Sequence, residues 1–388
     1  MVARACGSVV LVVACSGPAG GDEGETTSET TATSAADTGD APTGGPTSCR
    51  FPTFTRAEAW LRTTDEGNCD AGLAAMFGGD CENLHWLGLM GDPTVLYEGG
   101  RFRMWYSGGR RVGAEMWQVG IVEAGSADGL LWADPKDLAE DVVPVLDAGT
   151  PGLDEYGIET AAVLRDPGGG YRMYFTGDRS AAPASLHVIG MATSPDGTTW
   201  TKRDAPVLTA TLAWEQPFDA GGFAVGGVLE PSVIVEDGVW RMWYQGFGHE
   251  GDAPAYARFG HATSPDGVVW TKRDEPVFRG QGLEFDAFGV GHTNVVKDPV
   301  DGYHLFYVGI SADELLRLGH AWSADGLVWQ PNPGNPVLSG EPGEWDAGLV
   351  GGPSALIVDG ALRVYYMGTP LSDFSRPVHF AVTNAACE

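Results

Sequence analysis

The sequence predicts an all-β fold, a five-bladed β-propeller built from four-stranded antiparallel blades. The first observation behind this prediction is a β-rich run ending in aromatic residues and glycine, which occurs five times. The second is the pattern Ser-x-Asp-Gly-x-x-Trp, which occurs four times in alternation with the first. Repeats at near-constant spacing predict radially arranged structural units. The runs begin at Met104, Met173, Met242, Leu305 and Val364, and the patterns begin at Ser126, Ser194, Ser264 and Ser323.

The third repeat shows how one unit divides into four strands. An apolar strand at 231–235 is followed by a turn and a second strand at 240–246. A small-residue strand at 260–264 comes next, and the Asp266-Gly267 turn leads to a fourth strand at 268–272. In this interpretation the repeated Asp-Gly forms a turn and the repeated Trp packs between neighbouring blades.

The two ends of the repeat region predict how the ring closes. The fifth unit contains its first three strands, finishing at 378–383, but no fourth strand. The segment between Cys49 and Trp60 precedes the first unit, so we expect it to supply the missing strand. Pairing of the N- and C-terminal strands would then close the ring, and the folded domain would span residues 49–388.

If Cys6 is removed with an export signal and Cys15 is lipidated, four cysteines remain. An even number of cysteines in an exported protein predicts two disulfides. Three pairings are open. Cys69 and Cys81 are close enough in sequence to staple a local loop, whereas Cys49 and Cys387 bracket the whole domain. A Cys49–Cys387 bond would clamp the seam of the ring.

The N-terminus predicts export. Residues 1–15 contain a lone Arg4, the apolar run 9–14 and Cys15, in a segment that resembles a bacterial lipobox whose cysteine is lipidated. An ordinary signal peptide and a misassigned start codon are the alternatives. Residues 16–48 contain no Lys, Arg or aromatic residue and predict a flexible spacer. We therefore expect a cell-envelope lipoprotein, at the outer membrane or cell surface, or a secreted protein, with membrane contact only through the lipid.

Charge excludes one class of partner. The 388 residues include 52 acidic and 23 basic side chains, a net charge of −29. Phosphate contacts need clustered Lys and Arg, so nucleic acid is excluded. No zinc-type Cys/His cluster, phosphate-binding glycine loop or Ser-His nucleophile pattern is present in the sequence. We expect a monomer that requires no cofactor.

The first strands of the units predict the site, because the innermost strands of a propeller begin around a central funnel. When the starts of the five first strands are aligned, one equivalent position carries Asp92, Glu159, Glu230, His292 and Gly352. Converging carboxylates raise one another's pKa values, and glycosidic cleavage uses one carboxylic acid with a second carboxylate as base or nucleophile. The alternative is structural: Asp92 and Glu230, each followed by proline, would shape turns and solvate a channel.

These residues resemble those of the five-bladed propeller glycosidases. This group comprises the arabinanase and β-xylosidase family 43, the invertase and levansucrase families and the mannoside phosphorylases. The resemblance spans residues 84–383. It implies that Asp92 is the base or nucleophile, Glu230 the general acid and Glu159 the modulator, where the group usually has Asp. His292 resembles a fourth-blade histidine near the centre, where some members bind Ca²⁺, and is expected to contact substrate.

Other repeated or aromatic residues receive lower rank. Four aromatic side chains near strand entries are expected to stack on sugar rings: Trp86, Tyr156, Phe223 and Phe288. Four acids that recur before the first strands are expected to brace loops: Asp154, Asp219, Asp286 and Asp346.

The sequence thus predicts an exported glycoside hydrolase acting on oligo- or polysaccharides. Two alternatives stay open. One is a non-catalytic surface propeller that binds glycan or protein through the same funnel. The other is a glycan phosphorylase, for which Arg110, Arg111 and Arg179 are weak candidate phosphate ligands. Sugar, linkage and stereochemical course are not determined by the sequence.

Overall fold

The computed structural model describes residues 49–56, 89–111, 117–130, 132, 144–180, 184–219, 222–248, 256–311, 315–369 and 379–386. The predicted leader (1–15) and spacer (16–48) lie outside these segments, as do Cys15, Cys69, Cys81 and Cys387. Within them the regular structure is β apart from two 3-10 turns, Ala213–Glu215 and Glu284–Asp286. The expected all-β class is confirmed. No helix in these segments is long and apolar enough to cross a membrane.

The described strands form five antiparallel sets, preceded by β1 (Thr53–Phe54). Set 1 contains β2 (Leu89–Glu98), β3 (Arg101–Arg111) and β4 (Trp117–Ser126). Set 2 contains β5 (Gly157–Arg165), β6 (Tyr171–Asp178), β7 (Ser185–Ser194) and β8 (Thr201–Lys202). Set 3 contains β9 (Phe218–Asp219), β10 (Ala224–Glu236), β11 (Val239–Gly248), β12 (Tyr256–Ser264) and β13 (Thr271–Lys272). Set 4 contains β14 (Gly289–Asp298), β15 (Gly302–Ile310), β16 (Leu316–Ser323) and β17 (Gln330–Pro331). Set 5 contains β18 (Leu349–Val358), β19 (Ala361–Thr369) and β20 (His379–Ala386).

The core lies between neighbouring sets. One buried cluster joins Trp105 and Ile121 of set 1 to Met173 and Phe175 of set 2. Corresponding clusters join sets 2 and 3, sets 3 and 4, and sets 4 and 5. Burying each large apolar side chain contributes about 1.5–3 kcal/mol. The repeated aromatic runs therefore stabilise contacts between sets rather than the interior of any one set.

Each first strand is interrupted by a bulge at the same place. In set 1, Gly91 pairs with Ser107 and Thr94 pairs with Trp105, so two residues stand out of the ladder. The other first strands break at the corresponding points. The first bulge residue has positive φ in every set, a conformation that is strained for non-glycine residues and typical of functional sites. These residues are Asp92, Thr160, Glu230, His292 and Gly352.

The bulges correct one sequence inference. The residue of set 2 that corresponds to Asp92 and Glu230 is Thr160, because the break in pairing falls between Glu159 and Ala162. Glu159 precedes the bulge and pairs with Thr176. The assignment of Glu159 to the equivalent position was therefore wrong by one residue.

The Ser-x-Asp-Gly turns connect neighbouring sets at the rim. In set 2, Ser194 Oγ accepts a hydrogen bond from Gly197 N at 2.7 Å and donates to Asp196 Oδ1 at 3.0 Å. The carbonyl of Gly197 then accepts from Trp105 Nε1 of set 1 at 2.9 Å. Corresponding bonds join Tyr174 to Gly267, Trp243 to Gly326 and Tyr365 to Gly129, at 2.6, 2.7 and 3.0 Å. We call these four the rim hydrogen bonds.

Set 4 is the exception, and its sequence explains why. Where the other sets place a Trp or Tyr donor, set 4 has Phe306, which packs edge-on against Phe54 at 5.7 Å. Set 5, its neighbour, has no Ser-x-Asp-Gly turn in the sequence, so it provides no glycine carbonyl of this kind to accept a hydrogen bond. An apolar ring at this position avoids a buried hydroxyl or indole N–H without a partner.

The N-terminal segment pairs with the last strand, as expected. Thr53 lies opposite Ala386 and Phe54 opposite Ala385 in antiparallel register. Thr383 Oγ1 also donates to the carbonyl of Thr55 at 2.8 Å. Cys49 is disulfide-bonded, but Cys387, Cys69 and Cys81 lie outside the described residues. The two disulfide pairings therefore stay predictions.

The recurring buried acids brace loops. Asp154 accepts from Thr150 N at 2.7 Å and from Lys202 Nζ at 2.6 Å. In set 3 the matching acid is Glu215, which contacts Lys272 Nζ at 2.6 Å, and not the exposed Asp219. The exposed Asp219 braces its own loop, because its Oδ1 accepts a hydrogen bond from Gly222 N at 2.8 Å. Asp286 and Asp346 brace the corresponding loops of sets 4 and 5.

Candidate active site

Four ionisable side chains meet where the first strands bulge. Asp92, Glu159, Glu230 and His292 are each at most 7% exposed. They come from β2, β5, β10 and β14, so the convergence is produced by the arrangement of the sets and not by local sequence. The predicted catalytic residues are thus brought together, although Glu159 comes from a different position of its strand.

A cavity of about 480 Å³ begins at these residues. It is lined by all five first strands from the bulge onward, including Asp92, Thr160, Glu230, His292 and Gly352. Its lining contains no residue that precedes a bulge, so Glu159 lies beside the cavity and not in its wall. The acids therefore stand at one end of a cavity that extends toward the strand ends.

Hydroxyl groups of the second strands hold the bulges in place. Ser107 Oγ accepts from Thr160 N at 3.0 Å and lies 3.5 Å from Asp92 Oδ2. Thr176 Oγ1 accepts from Glu230 N at 2.8 Å and also bonds Thr160 Oγ1. Each hydroxyl belongs to one set and supports the bulge of the next, which ties the position of one acid to that of its neighbour.

His292 lies between Asp92 and Glu230. Its Nδ1 is 2.9 Å from Asp92 Oδ1, and its Nε2 is 3.7 Å from Glu230 Oε1. Its backbone N–H also donates to Glu230 Oε2. The Nδ1 contact has the distance of an ion pair without the alignment of a hydrogen bond. Attraction between charges therefore dominates it.

Burial and mutual repulsion raise the pKa values of two of the acids. Burial raises the pKa of Glu159 well above its ordinary value, and the charges of Asp92, Asp178 and Glu230 raise it further. Burial also raises the pKa of Glu230, against the opposing charge of His292. For His292 itself, burial lowers the pKa, but Glu230 and Asp92 outweigh it and raise the pKa to about 9. A pKa above neutral favours the charged form of the imidazole at pH 7.

Two further polar residues of this region were missed by sequence reasoning. Asp178, at the end of β6, is 6% exposed and contributes to the raised pKa of Glu159. Gln245 of β11 is 4% exposed, and its Oε1 has no hydrogen-bond partner among the described residues. Gln245 could have been found, because it occupies the variable fourth position of the repeated aromatic run. That position carries Ser107, Thr176, Gln245, Val308 and Met367 in the five sets.

The predicted stacking residues divide into three cases. Tyr156 and Phe288 are 43% and 46% exposed and directly precede β5 and β14. They occupy equivalent positions, since each backbone N–H donates to the carbonyl that ends the second strand, Asp178 or Ile310. Phe223 is 37% exposed but belongs to the extra hairpin of set 3. Trp86 lies outside the described residues.

The resemblance also raised the question of Ca²⁺ at the centre. Calcium takes six to eight oxygen ligands. In the segments that the structure describes, no three His, Cys, Asp or Glu side chains are arranged to hold a metal ion. The imidazole of His292 instead occupies the space between Asp92 and Glu230. The described residues at the centre do not fit a calcium site.

The candidate phosphate ligands receive little support. Arg179 is exposed, and the side chains of Arg110 and Arg111 lie outside the described residues. Asp92, Glu159 and Glu230 form no ion pair with a described lysine or arginine. A basic phosphate site beside the acids is therefore not part of the described structure.

Comparison with known proteins places the fold. No family model matches the chain. The uncharacterized protein Rv1502 of Mycobacterium tuberculosis is 28% identical over 277 residues, which cover 70% of this chain and 85% of the relative. This relative carries no described activity.

Solved structures give closer information on architecture. A complex of BT0996 with RGII has a TM-score of 0.60 at 19% identity, covering 76% of this chain and 87% of that one. A thermostable family-43 glycoside hydrolase has 0.56 at 17%, covering 77% and 90%. A structure of the GH130 mannoside phosphorylase family, described as containing hydrolases of β-1,2 mannosidic linkages in Candida mannan, has 0.56 at 18%, covering 85% and 94%.

At these identities the likeness establishes the fold. The chain has the all-β fold that the propeller glycosidases share. Family 43 and the mannoside phosphorylases, both named by the sequence resemblance, recur among these structures, and that expectation is confirmed.

Proposed function

We propose that this protein is a glycoside hydrolase acting on oligo- or polysaccharides at the centre of its fold. One observation carries the proposal: Asp92 and Glu230 line one cavity, with His292 between them and Glu159 beside them. Similarity to structures of glycoside hydrolases and phosphorylases supports a glycan-processing role.

The environments of the two cavity acids match the two roles that hydrolysis needs. Asp92, close to the charged His292, is the base. Glu230, whose pKa is raised by burial, is the general acid that protonates the leaving oxygen. Glu159 modulates both, because its raised pKa keeps a proton beside them. The charge of Asp178 also helps to raise the pKa of Glu159.

The stereochemical course at the anomeric carbon depends on the separation of the two carboxyl groups. Inverting enzymes hold them about 6.5–9.5 Å apart, to admit a water, against about 5–5.5 Å in retaining enzymes. In this structure the ring of His292 stands between Asp92 and Glu230. Proton NMR of the first-formed anomer distinguishes inversion from retention.

We infer that the five sets close into a five-bladed ring. Hydrogen bonds connect set 1 to 2 through Ser107, 2 to 3 through Thr176, 3 to 4 through Ser232, 4 to 5 through Asn294 and 5 to 1 through Ser354. The rim hydrogen bond from Tyr365 to Gly129 also joins sets 5 and 1. Pairing of β1 with β20 supports the view that the N-terminal segment completes the last blade.

Tyr156 and Phe288 are our candidates for sugar stacking. They flank set 3, which carries Glu230, and both present exposed rings on the side where the first strands begin. Aromatic faces pack against the apolar faces of pyranose and furanose rings. One similar structure is a complex with RGII, which supports a carbohydrate partner for this site.

Export with lipidation of Cys15 remains part of the proposal, supported by the lipobox-like segment and the spacer at 16–48. Metabolic labelling with a radioactive fatty acid tests it. The label should enter the full chain and should not enter Cys15→Ala. Labelling of both forms, or of neither, would contradict lipidation at Cys15.

The main test is sugar release by the full chain on arabinans, xylans, fructans, mannans and aryl glycosides. Reducing-sugar release that is lost in Glu230→Gln supports the hydrolase. Assays repeated with inorganic phosphate distinguish a phosphorylase, which would form sugar phosphate instead. If the folded protein releases nothing with or without phosphate, yet binds one of these glycans, the non-catalytic propeller is the correct alternative.

A further inference from the structure

The centre of the fold has an unusual charge composition. Asp92, Glu159, Glu230 and Asp178 bring four carboxyl groups into one buried region. The first three form no ion pair with any described lysine or arginine. Buried carboxylates without a partner take up protons or require a cation. Retained protons, a positive charge or both must therefore accompany the acids at this site.

His292 is the described residue placed to supply positive charge. It is 7% exposed and contacts two acids from two different sets, Asp92 of set 1 and Glu230 of set 3. Its backbone N–H adds a second bond to Glu230. The backbone of His292 has a positive φ, a conformation that is strained for a non-glycine residue and typical of functional sites.

His292 holds the two acids in different ways. Its side chain is 2.9 Å from Asp92 and 3.7 Å from Glu230. Glu230 also accepts a hydrogen bond from the backbone N–H of His292. One residue thus fixes the positions of both carboxyl groups relative to each other.

We propose that His292 is a positioning residue whose imidazolium stands in place of a metal cation at the centre, bridging Asp92, the base, and Glu230, the acid, and fixing their carboxyl groups relative to each other. The inference rests on the proposed hydrolase function for the roles of the two acids, but the ion pair itself does not depend on it. The titratable groups that face the ring are Asp92, Glu230 and, through them, Glu159 and Asp178. Attraction to Asp92 and Glu230 raises the pKa of His292 to about 9, which supports a charged ring at neutral pH.

The first arm of the test observes the ring directly in the full chain. Long-range ¹⁵N–¹H NMR spectra of the imidazoles, assigned through each residue's own backbone, report the protonation of His292. We expect both nitrogens to be protonated at pH 7 and the ring to titrate near pH 9. The buried His261, whose pKa burial lowers to about 4, is the internal control and should be neutral at pH 7. A neutral His292 at pH 7 would overturn the proposal.

The second arm uses His292→Gln with His261→Gln as the matched control. Loss of the positive charge should move the acidic limb of the kcat/KM profile upward by about one to three pH units, because the acids at the centre then lack their opposite charge. His261→Gln should leave the limb in place. A His292→Gln enzyme that loses activity without any movement of the limb would assign the residue a merely structural role and refute the inference.

The third arm adds calcium chloride to the metal-free chain and follows both calorimetry and the His292 spectrum. We expect calcium to produce no heat of binding that depends on Asp92, so the parent and Asp92→Asn should give the same calorimetric result. We also expect no change in the NMR spectrum of the His292 imidazole. Stoichiometric binding with deprotonation of His292 would show that the cation is calcium and would overturn the proposal. If His292 is charged but the chain cleaves no glycan, the proposed hydrolase function is contradicted, and the positioning role with it. If the chain cleaves glycan but His292 is neutral, only the positioning role is contradicted.

Discussion

The loops before the first strands and the centre of this fold both bury carboxylates, but the two places differ in how these charges are paired. In the loops, Asp154, Glu215 and Asp346 each have their own base: Lys202, Lys272 and Arg56, at 2.6 Å. At the centre, Asp92 and Glu230 share one histidine, and Glu159 lies beside them. Charges that are paired in a fixed geometry brace a loop. Carboxyl groups that are left partly uncompensated have raised pKa values, as Glu159 and Glu230 do, and acid–base chemistry requires such shifts.

The sharpest test of this comparison exchanges one atom in one aspartate of each kind. Asp92→Asn should lower activity by about 10²–10⁴-fold, the usual contribution of a general base, with little loss of thermal stability. Asp154→Asn should reduce stability by about 3–5 kcal/mol, because it leaves Lys202 without its buried partner, while the folded fraction keeps its kcat. Sugar release and denaturant unfolding measure both. Equal losses of activity and stability in both variants would remove the distinction.

The rim hydrogen bonds should contribute to the stability of the fold and not to catalysis. Tyr174→Phe removes the donor to the carbonyl of Gly267 and should cost about 1–3 kcal/mol, since a buried acceptor is left unpaired. Tyr97→Phe makes the same chemical change at a site that is 42% exposed and should alter stability by less than about 0.5 kcal/mol. Urea unfolding decides between them, and similar values for the two variants would contradict the role assigned to the rim.

Glu159 should be a destabilising residue at neutral pH. A raised carboxyl pKa means that the folded chain retains a proton which the unfolded chain releases, so its contribution to stability declines as pH rises above the ordinary value of 4.5. Glu159→Gln should therefore raise the free energy of unfolding by about 0.5–2 kcal/mol at pH 7, with no gain at pH 4. Activity should fall. A variant that is less stable than the parent at pH 7 would show that Glu159 is a structural acid like the loop-bracing Asp154.

The smallest expected effect concerns the exposed aromatic rings. Tyr156→Ala and Phe288→Ala should each raise KM by about 2- to 12-fold, corresponding to about 0.5–1.5 kcal/mol of stacking, with kcat little changed. Val328→Ala, at a site that is 72% exposed on the rim, serves as the control. Unchanged KM values would place sugar binding elsewhere, for example along the cavity behind the acids.

The repeats made much of the fold predictable. Five aromatic runs and four Asp-Gly turns indicated the sets, and the missing fourth strand of the last set indicated that β1 pairs with β20. The absence of a rim hydrogen bond at Phe306 was also predictable from the sequence. The other sets place Trp or Tyr there, and set 5 lacks the turn that would accept a hydrogen bond.

The candidate site was only partly predictable. Asp92, Glu230 and His292 were found because they differ from one another at one repeated place. Glu159 was placed one residue out of register, although Val95, Val163, Val233 and Val295, each three residues after a bulge begins, would have aligned the strands correctly. Asp178 and the bridging contacts of His292 had no sequence signal, since they arise from how the ends of separate strands approach in space.

The pairing of β1 with β20 also has a consequence for the order of synthesis. Thr53 and its partner Ala386 are 333 residues apart, and a ribosome adds about 5–20 residues each second. The first strand to be made therefore waits roughly 17–67 seconds for the last. Throughout that interval its backbone groups form an open edge, which is the feature of a nascent β-protein most prone to pair with a neighbouring chain.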